Sequence, residues 1–253
     1  SNTDICIIGE TVTFSDEYIF TVMRLCEEKH ITAYNYHITA ITTPTQLEKI
    51  KVPVIFVCSL LPDMGKSKIG LKLTQALEKM QYTPLYISSN PMWKIFNHEV
   101  FPHKILQSDN PICALNKFLS ERIAQSNANV VIMCIPGGII SSNKYNLFCD
   151  YGLLNYIICQ AVKPTYILNC IHQNTVNVGV IPEPFHPNKI TQHIRTEKVL
   201  DQNEYDFYIK NRNISVTKDM VEYDDISNVF DPDVYTKIAA DICNVIKTKE
   251  TKQ

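Results

Sequence analysis

The sequence lacks a membrane-length apolar run, an export signal and a strong excess of either charge. No apolar run approaches the ~20 residues that a membrane-spanning helix needs. The first residues, Ser1–Asp4, are polar and include no Lys or Arg, unlike a signal peptide. The formal net charge is −2, which offers no basic surface to nucleic acid or to an anionic membrane. We therefore expect a cytoplasmic protein that has neither nucleic acid nor a membrane as its partner.

The nine cysteines are not spaced as metal ligands, because no CxxC pair occurs in the chain. Zinc and iron–sulfur sites are therefore disfavoured. Cys58, Cys134 and Cys159 instead lie within apolar runs, where a free thiol behaves as a small hydrophobic side chain. An odd number of cysteines without an export signal favours reduced thiols.

Continuous apolar runs of strand length alternate with amphipathic helical patterns through the middle of the chain. The runs Val54–Cys58, Asn129–Ile135 and Thr165–Cys170 are typical of parallel strands that are buried on both faces. The sequence therefore predicts an α/β fold in which a three-layer parallel sheet carries helices on both faces. We expect a small N-terminal βαβ segment in residues 1–50 and a larger α/β domain in residues 51–253.

The remaining elements are predicted from helical spacing, caps and short apolar runs. The predicted helices are Asp16–Lys29, Lys66–Met80, Ile112–Ile123, Leu153–Ala161 and a final one over Val234–Val245, capped by Asp231-Pro232-Asp233. Two further helices are predicted from Thr43-Pro44-Thr45-Gln46 to Lys51 and from His186-Pro187-Asn188 to about Leu200. The further predicted strands are Ile5–Ile8, Leu85–Ile87 and Val178–Ile181, and Lys247–Gln253 is predicted to fray.

The segment Val54–Lys68 has the strand, loop and helix that surround a nucleoside triphosphate in a P-loop. In such a loop the backbone amides and the helix N-terminus face the phosphates. Lys66 would reach the β- and γ-phosphates, and the Ser67 hydroxyl would bind Mg²⁺. Gly65 would let the backbone approach the phosphates without a Cβ in the way. The predicted cofactors are ATP or GTP with Mg²⁺, and the residues expected at the phosphates are Met64, Gly65, Lys66, Ser67 and Lys68.

Two departures weaken the match to the full P-loop pattern. Leu60 occupies the place of the first glycine in G-x-x-x-x-G-K-[ST]. The strand Asn129–Ile135 is followed by Pro136, where many P-loop enzymes have an acidic residue for the Mg²⁺ shell. Gly137 and Gly138 come next, and they would either offer amides to the γ-phosphate or form only a tight turn.

Four other groups of polar residues were considered for the site. Asp63, proposed as catalytic together with Lys66, would orient a water or contact Mg²⁺, or it is a solvated loop acid. Asn169 would read a purine edge or form a turn. Ser88-Ser89-Asn90 ends a strand at the same predicted edge and would contact nucleotide or substrate. The histidines match no metal-ligand spacing and are expected to be solvated or satisfied: His98, His103, His172, His186 and His193.

The order of these segments resembles a family of peptide-maturation-system proteins from clostridial natural-product clusters. The resemblance extends over roughly Asp4–Asn213. It is carried by Val52–Val57 with Gly65-Lys66, Leu85–Ser89 with Phe96, His98 and Phe101-Pro102, Ile135–Ile139 with Asn143-Lys144-Tyr145, and Ala161–Pro164. It implies an ATP- or GTP-binding accessory protein of ribosomal-peptide modification, similar to the dethiobiotin-synthetase-like P-loop class. It also implies a precursor peptide or modifying enzyme as partner, and a homodimer.

These observations leave three functions open. The first is an NTP hydrolase or NTP-dependent ligase, with catalysis by positioning and electrostatics around Lys66 and Ser67. The second is a non-catalytic peptide- or protein-binding module on a degenerate P-loop fold, which the missing glycine and missing acid favour. The third is an α/β protein that binds another phosphorylated ligand at Gly65–Lys68.

Overall fold

The computed structural model describes residues 5–8, 15–35, 46–59, 64–138, 153–171, 175–177, 191–195, 215–216, 226–228 and 233–250. Its eleven strands are β1 (Ile5–Ile8), β2 (Thr32–Asn35), β3 (Val54–Ser59), β4 (Pro84–Ser88), β5 (Glu99–Val100), β6 (Val130–Cys134), β7 (Tyr166–Ile171), β8 (Thr175–Asn177), β9 (Thr191–Arg195), β10 (Ser215–Val216) and β11 (Ile226–Asn228). Its α-helices are α1 (Asp16–Glu28), α2 (Lys66–Lys79), α3 (Pro111–Ser126), α4 (Leu153–Ala161) and α5 (Val234–Glu250).

The largest sheet in these described residues has seven strands in the order β11-β9-β7-β3-β6-β4-β5, and every pairing in it is parallel. The strand β3 lies at its centre, between β6 and β7, and all six of its residues are buried. Parallel strands that are covered on both faces read as continuous apolar runs, which explains why β3, β6 and β7 were recognisable in the sequence.

Helices cover both faces of this sheet, so the predicted three-layer α/β fold is confirmed. On one face, α2 and α5 pack against alternate strand residues such as Ile55, Val57 and Leu168. On the other face, α3 and α4 pack against Phe56 and the other residues that point the opposite way. No helix in the described residues is both long enough and apolar enough to cross a membrane.

Local signals explain where several of these helices begin. Ser15 caps α1, because its hydroxyl accepts a hydrogen bond from the Tyr18 amide at 3.2 Å. Asn110 caps α3 in the same way through the Cys113 amide at 3.1 Å, and Pro111 occupies the first turn. The α3 helix ends at Asn127, which adopts the left-handed conformation that asparagine tolerates.

The N-terminal strands form their own two-stranded parallel sheet, in which β1 pairs with β2 and α1 connects the two. This is the predicted βαβ unit. The division of the chain into residues 1–50 and 51–253 stays a prediction.

Two predicted elements were wrong in their described residues, and a third is not tested. Residues 46–51 are not helical, although Thr43–Thr45 lie outside the described residues. The helix predicted up to Leu200 is wrong at Thr191–Arg195, which forms β9. This segment contains β-branched Thr191 and Ile194, and pairing with the edge of β7 overrides its helical pattern. The predicted strand Val178–Ile181 lies outside the described residues.

The predicted fraying of Lys247–Gln253 was wrong for Lys247–Glu250, because α5 continues to Glu250, and residues 251–253 lie outside the described residues. Ile246 is buried in the core and fixes the last turns of the helix against the sheet. Lys247 lies in the last turn of the helix, where the helix dipole favours positive charge.

Candidate phosphate-binding site

The start of α2 lies at the carboxyl edge of the parallel sheet, directly after β3. Gly65 is its N-cap residue, with φ 74° and ψ 17°, which is the left-handed region. A Cβ at this position would meet no atom within 4 Å. The glycine is therefore required here by its backbone conformation, since an L side chain at this φ costs about 1–2 kcal/mol. Residues 60–63 lie outside the described residues, so the role given to Asp63 stays a prediction.

Lys66 is a buried lysine, with only 6% of its side chain surface exposed. Its Nζ donates a hydrogen bond to the Ser59 hydroxyl at 2.7 Å. It donates another to the carbonyl oxygen of Gly137. The ammonium thereby joins the end of β3, the start of α2 and the turn after β6. This satisfies a charge that would otherwise be costly to bury.

Ser67 is held against the end of β4. Its hydroxyl oxygen accepts a hydrogen bond from the buried Ser88 hydroxyl at 3.1 Å. Its backbone carbonyl accepts a hydrogen bond from the Tyr86 hydroxyl at 2.7 Å. The predicted Mg²⁺ ligand Ser67 and the predicted contact residue Ser88 are thus adjacent in the structure.

The thiol of Cys134 and the phenol of Tyr86 contact the first turn of α2. The Cys134 thiol donates to the carbonyl of Lys66 at 3.4 Å, and its sulfur lies 3.6 Å from the Tyr86 hydroxyl. Burial raises the pKa of the Cys134 thiol to about 12 and raises that of Tyr86 above its ordinary value. Both groups therefore stay protonated near neutral pH and serve as hydrogen-bond donors.

The turn after β6 contains the predicted Gly137 and Gly138. Gly137 has φ 72°, a conformation that favours glycine, and Pro136 and Gly138 are buried. The observed polar contact of this turn is made by the Gly137 carbonyl with Lys66, not by an amide. The prediction that the amides of Gly137 and Gly138 face a γ-phosphate is not tested by this arrangement.

A cavity of about 620 Å³ opens in front of the loop, a volume in the range of small-molecule sites. All five predicted phosphate residues line it: Met64, Gly65, Lys66, Ser67 and Lys68. The turn after β6 contributes Pro136 and Gly137, and the segment after β4 contributes Ser89, Asn90 and Pro91. The other lining residues are Trp93, His103, Leu106 and Leu154. Among the described residues, no carboxylate lines this cavity.

His103 is the one histidine among the described residues that lines the cavity. Burial lowers its pKa from the usual 6.5, and a hydrogen bond to the backbone of Ser89 acts in the opposite direction. His98 packs instead against the rings of Tyr86 and Trp93, with centroid distances of 5.2 and 6.0 Å. Burial lowers its pKa as well, against the influence of Glu78. In the part of the chain that the structure describes, no three His, Cys, Asp or Glu side chains group as metal ligands.

Asn169 lies within β7, with 1% of its surface exposed, so the alternative of a turn-forming asparagine was wrong. It pairs in register with Cys58 on one side and His193 on the other. Within the described part of the chain, neither its amide nitrogen nor its amide oxygen has a hydrogen-bond partner. Leaving such a group unpaired costs about 1–3 kcal/mol. The prediction that Asn169 reads a purine stays a prediction.

The sequence interpretation missed several residues that shape the site. Ser59 is the polar residue that ends the apolar run of β3, and that position was a usable signal. Tyr86 was another, because a tyrosine inside a buried strand needs a partner for its hydroxyl. No sequence signal placed Leu106 or Leu154 at the cavity.

No family model matches the chain, and no curated protein matches it. Among solved structures it is similar to a DUF1611 family protein from Anabaena variabilis, with 9% identity and a TM-score of 0.41, covering 67% of this chain and 55% of the other. It is similar to chloroplast FtsY from Physcomitrella patens, with 18% identity and a TM-score of 0.37, covering 61% and 52%. It is also similar to the 54 kDa protein of the signal recognition particle from Aeropyrum pernix, solved with GDP, with 15% identity and a TM-score of 0.41, covering 83% and 53%. The chain thus spans about half the length of each of these proteins.

Proposed function

We propose that this protein binds ATP or GTP with Mg²⁺ at the start of α2. The observation that carries the proposal is that a lysine, a serine and a helix N-terminus line a single cavity. Lys66 and Ser67 supply the first two groups, and Gly65 turns the chain into the helix. A triphosphate is the ligand that uses all three.

In the bound state, Lys66 leaves the Gly137 carbonyl and contacts the β- and γ-phosphates. The amides of Met64, Gly65 and Lys68 surround the phosphates, and those of Gly137 and Gly138 face the γ-phosphate. The residues present fit a magnesium ion that the nucleotide and water largely coordinate, because Ser67 offers one hydroxyl and no described carboxylate lines the cavity. Mg²⁺ neutralises phosphate charge when it is bound. Asn169 reads the base.

Whether turnover follows binding depends on residues beyond the described part of the loop. Asp63 is our candidate for positioning an attacking water, with Lys66 stabilising the charge that develops. The second candidate function is a non-catalytic peptide- or protein-binding module that uses nucleotide as a switch or not at all. It is favoured by Pro136 at the end of β6 and by the absence of a carboxylate among the described cavity residues.

We also propose a cytoplasmic accessory role in ribosomal-peptide modification, which the resemblance to clostridial peptide-maturation proteins supports. The partner would be a precursor peptide or its modifying enzyme, and the protein would act as a homodimer. The domain of residues 51–253 would bind the nucleotide. Light scattering with and without nucleotide tests the dimer, and added precursor peptide tests the pathway through a rise in turnover.

The first test is calorimetry of Mg·ATP and Mg·GTP binding to the protein and to Lys66→Ala. We expect micromolar binding of one or both nucleotides and its loss in the variant. Lys79→Ala is the matched control, because it makes the same change at the other end of α2. Binding that survives Lys66→Ala, or no binding by the folded protein, contradicts the proposal. An assay of phosphate release then distinguishes an NTP hydrolase from a module that uses nucleotide only as a switch.

A further inference from the structure

Two serine hydroxyls from different segments meet at the start of α2. Ser67 lies in the first turn of the helix, and Ser88 is the last residue of β4. Their hydroxyl oxygens are 3.1 Å apart and share a hydrogen bond. Ser67 lines the cavity, whereas Ser88 is fully buried and does not. Any effect of Ser88 on a ligand in the cavity therefore passes through a neighbouring residue.

Ser88 is fixed in this position by contacts of its own. Its backbone carbonyl accepts a hydrogen bond from the Phe101 amide at 2.7 Å, and the residue pairs in register with Val100 of β5. Its hydroxyl oxygen accepts a hydrogen bond from the Asn90 amide at 3.1 Å. A hydroxyl that is held on a rigid strand in this way can fix the orientation of a side chain that it contacts.

The phenol of Tyr86 is the third member of this group of hydroxyls. It donates a hydrogen bond to the backbone carbonyl of Ser67 at 2.7 Å. Burial raises the pKa of Tyr86, and a side-chain hydrogen bond with Ser88 acts in the opposite direction. The phenol therefore keeps its proton near neutral pH, and its oxygen can still accept a hydrogen bond from Ser88.

A divalent cation in the cavity would change what the Ser67 hydroxyl needs from its neighbours. A hydroxyl has one proton and two lone pairs, and a cation attracts the lone pairs and repels the proton. In the empty protein the Ser67 oxygen accepts from Ser88. With that oxygen directed at a cation, the Ser67 proton turns toward an acceptor, and the Ser88 oxygen is within reach. The Ser88 proton then turns to the Tyr86 oxygen.

The described lining of the cavity offers no carboxylate for this purpose. In many P-loop enzymes an acidic residue after the strand equivalent to β6 supports the Mg²⁺ shell, but here Pro136 follows that strand. The buried hydroxyl of Ser88, which reaches Ser67 from the end of a different strand, is a neutral group that can serve instead.

We propose that Ser88 is the positioning residue of the magnesium site, accepting the hydrogen bond of the Ser67 hydroxyl and so directing the Ser67 oxygen toward Mg²⁺. The proposal rests on binding of nucleotide with Mg²⁺ at the loop, as proposed above. Because Ser88 is neutral, it orients the ligand of the ion without adding charge to the site.

The test compares nucleotide binding with and without the ion. Calorimetry of ATP and GTP in Mg²⁺ and in excess EDTA gives two affinities, and their ratio is the Mg²⁺ enhancement. Ser88→Ala should reduce this enhancement by about tenfold, the lower end of the 10–100-fold loss that follows removal of a partner of a metal ligand. The affinity in EDTA should stay unchanged. Mn²⁺ in place of Mg²⁺ gives a second readout, since EPR measures the free ion directly.

Two further variants separate the hydroxyl from its packing. Ser88→Cys has nearly the same volume but a much weaker acceptor, so it should lose the enhancement as Ser88→Ala does. Ser108→Ala is the control, because the Ser108 hydroxyl donates to the Ile105 carbonyl at 2.7 Å and does not line the cavity. It should leave both affinities unchanged.

A double variant tests whether Ser88 acts through Ser67. In a Ser67→Ala background, Ser88→Ala should cause no further loss of the Mg²⁺ enhancement, because the hydroxyl that it orients is absent. A further loss in that background, an undiminished enhancement in folded Ser88→Ala, or a normal enhancement in Ser88→Cys overturns this proposal alone. Absence of nucleotide binding by the unmodified protein overturns both this proposal and the proposed function.

Discussion

The Nζ atom of Lys66 lies 2.7 Å from the hydroxyl oxygen of Ser59, the last residue of β3. Both side chains are buried, with 6% and 2% of their surfaces exposed. The ammonium that we propose binds phosphate is therefore already in place at the sheet edge and is stabilised by protein oxygens. A phosphate would replace one set of oxygens with another, so the lysine needs little rearrangement on binding.

Replacing Ser59 by alanine removes one of these oxygens and should lower the free energy of unfolding by about 1.5–3 kcal/mol, the range for hydrogen bonds to charged groups. The loss should be much smaller in a Lys66→Met background, because no charge then needs the hydroxyl. Urea unfolding of the two single variants and the double variant measures this coupling. Equal losses from Ser59→Ala in both backgrounds would show that the contact with Lys66 is not what Ser59 contributes.

Gly70→Ala should destabilise the protein, although alanine is the better helix former. A Cβ at Gly70 would lie 2.7 Å from the Cys134 sulfur and 2.8 Å from Cε2 of Tyr86. Overpacking of this kind costs about 1–3 kcal/mol, against a gain of about 1 kcal/mol in helix propensity. The side chains of Cys134 and Tyr86 also hold the first turn of α2, so nucleotide affinity should fall as well. Denaturant unfolding and calorimetry measure the two effects, and a stabilised variant would contradict the packing seen here.

The central strands and most helices could be predicted because their patterns are local. The buried strands β3, β6 and β7 are continuous apolar runs, and α2 and α4 have apolar residues at helical spacing. Where the prediction failed, a contact distant in sequence decided the outcome. The segment that forms β9 has a helix-like start, and only the open edge of β7 makes it a strand.

The candidate site likewise contains residues that a local motif predicted and residues that only the fold brings to the cavity. The roles proposed for Gly65, Lys66 and Ser67 follow from a contiguous motif, and the structure brings these residues together at one cavity. The apolar part of the cavity lining could not be predicted from the sequence, because Trp93 and Leu154 come from segments some sixty residues apart and line one cavity only when the sheet forms. Spacing arguments rejected His103 as a metal ligand but gave no reason to place it at the cavity.

The protein should lose stability as the pH falls from about 7 to about 5, because two histidines must be protonated on unfolding. Burial lowers the pKa of His98 and of His103 from the usual 6.5. Below that value the unfolded chain binds more protons than the folded chain, so the stabilisation is present above pH 6.5 and is lost as the pH drops through the folded values. Urea midpoints across this range measure the slope. The double variant His98→Gln with His103→Gln should have a flatter profile, and an unchanged slope would assign the effect to other groups.

Two buried asparagines should respond in opposite ways to replacement by leucine. Asn116 is fully used: its oxygen accepts from the Glu48 amide at 2.6 Å, and its nitrogen donates to the carbonyls of Glu48 and Ala161 at 3.1 and 2.9 Å. Asn116→Leu leaves the buried carbonyl of Ala161 without this donor and should lower the free energy of unfolding by about 1–3 kcal/mol. Asn169 makes none of these bonds, although it is equally buried.

Asn169→Leu should therefore leave the empty protein as stable as before, or make it more stable, since replacing an unpaired buried polar group with an apolar one of similar shape removes a penalty. If the Asn169 amide reads the nucleotide base, the same variant should bind Mg·ATP or Mg·GTP at least about tenfold more weakly, the loss of about 1.4 kcal/mol. Urea unfolding without nucleotide and calorimetry with it separate the two effects. A variant that is destabilised without nucleotide but binds it normally would mean that Asn169 belongs to the core of the sheet, and that the base is read elsewhere.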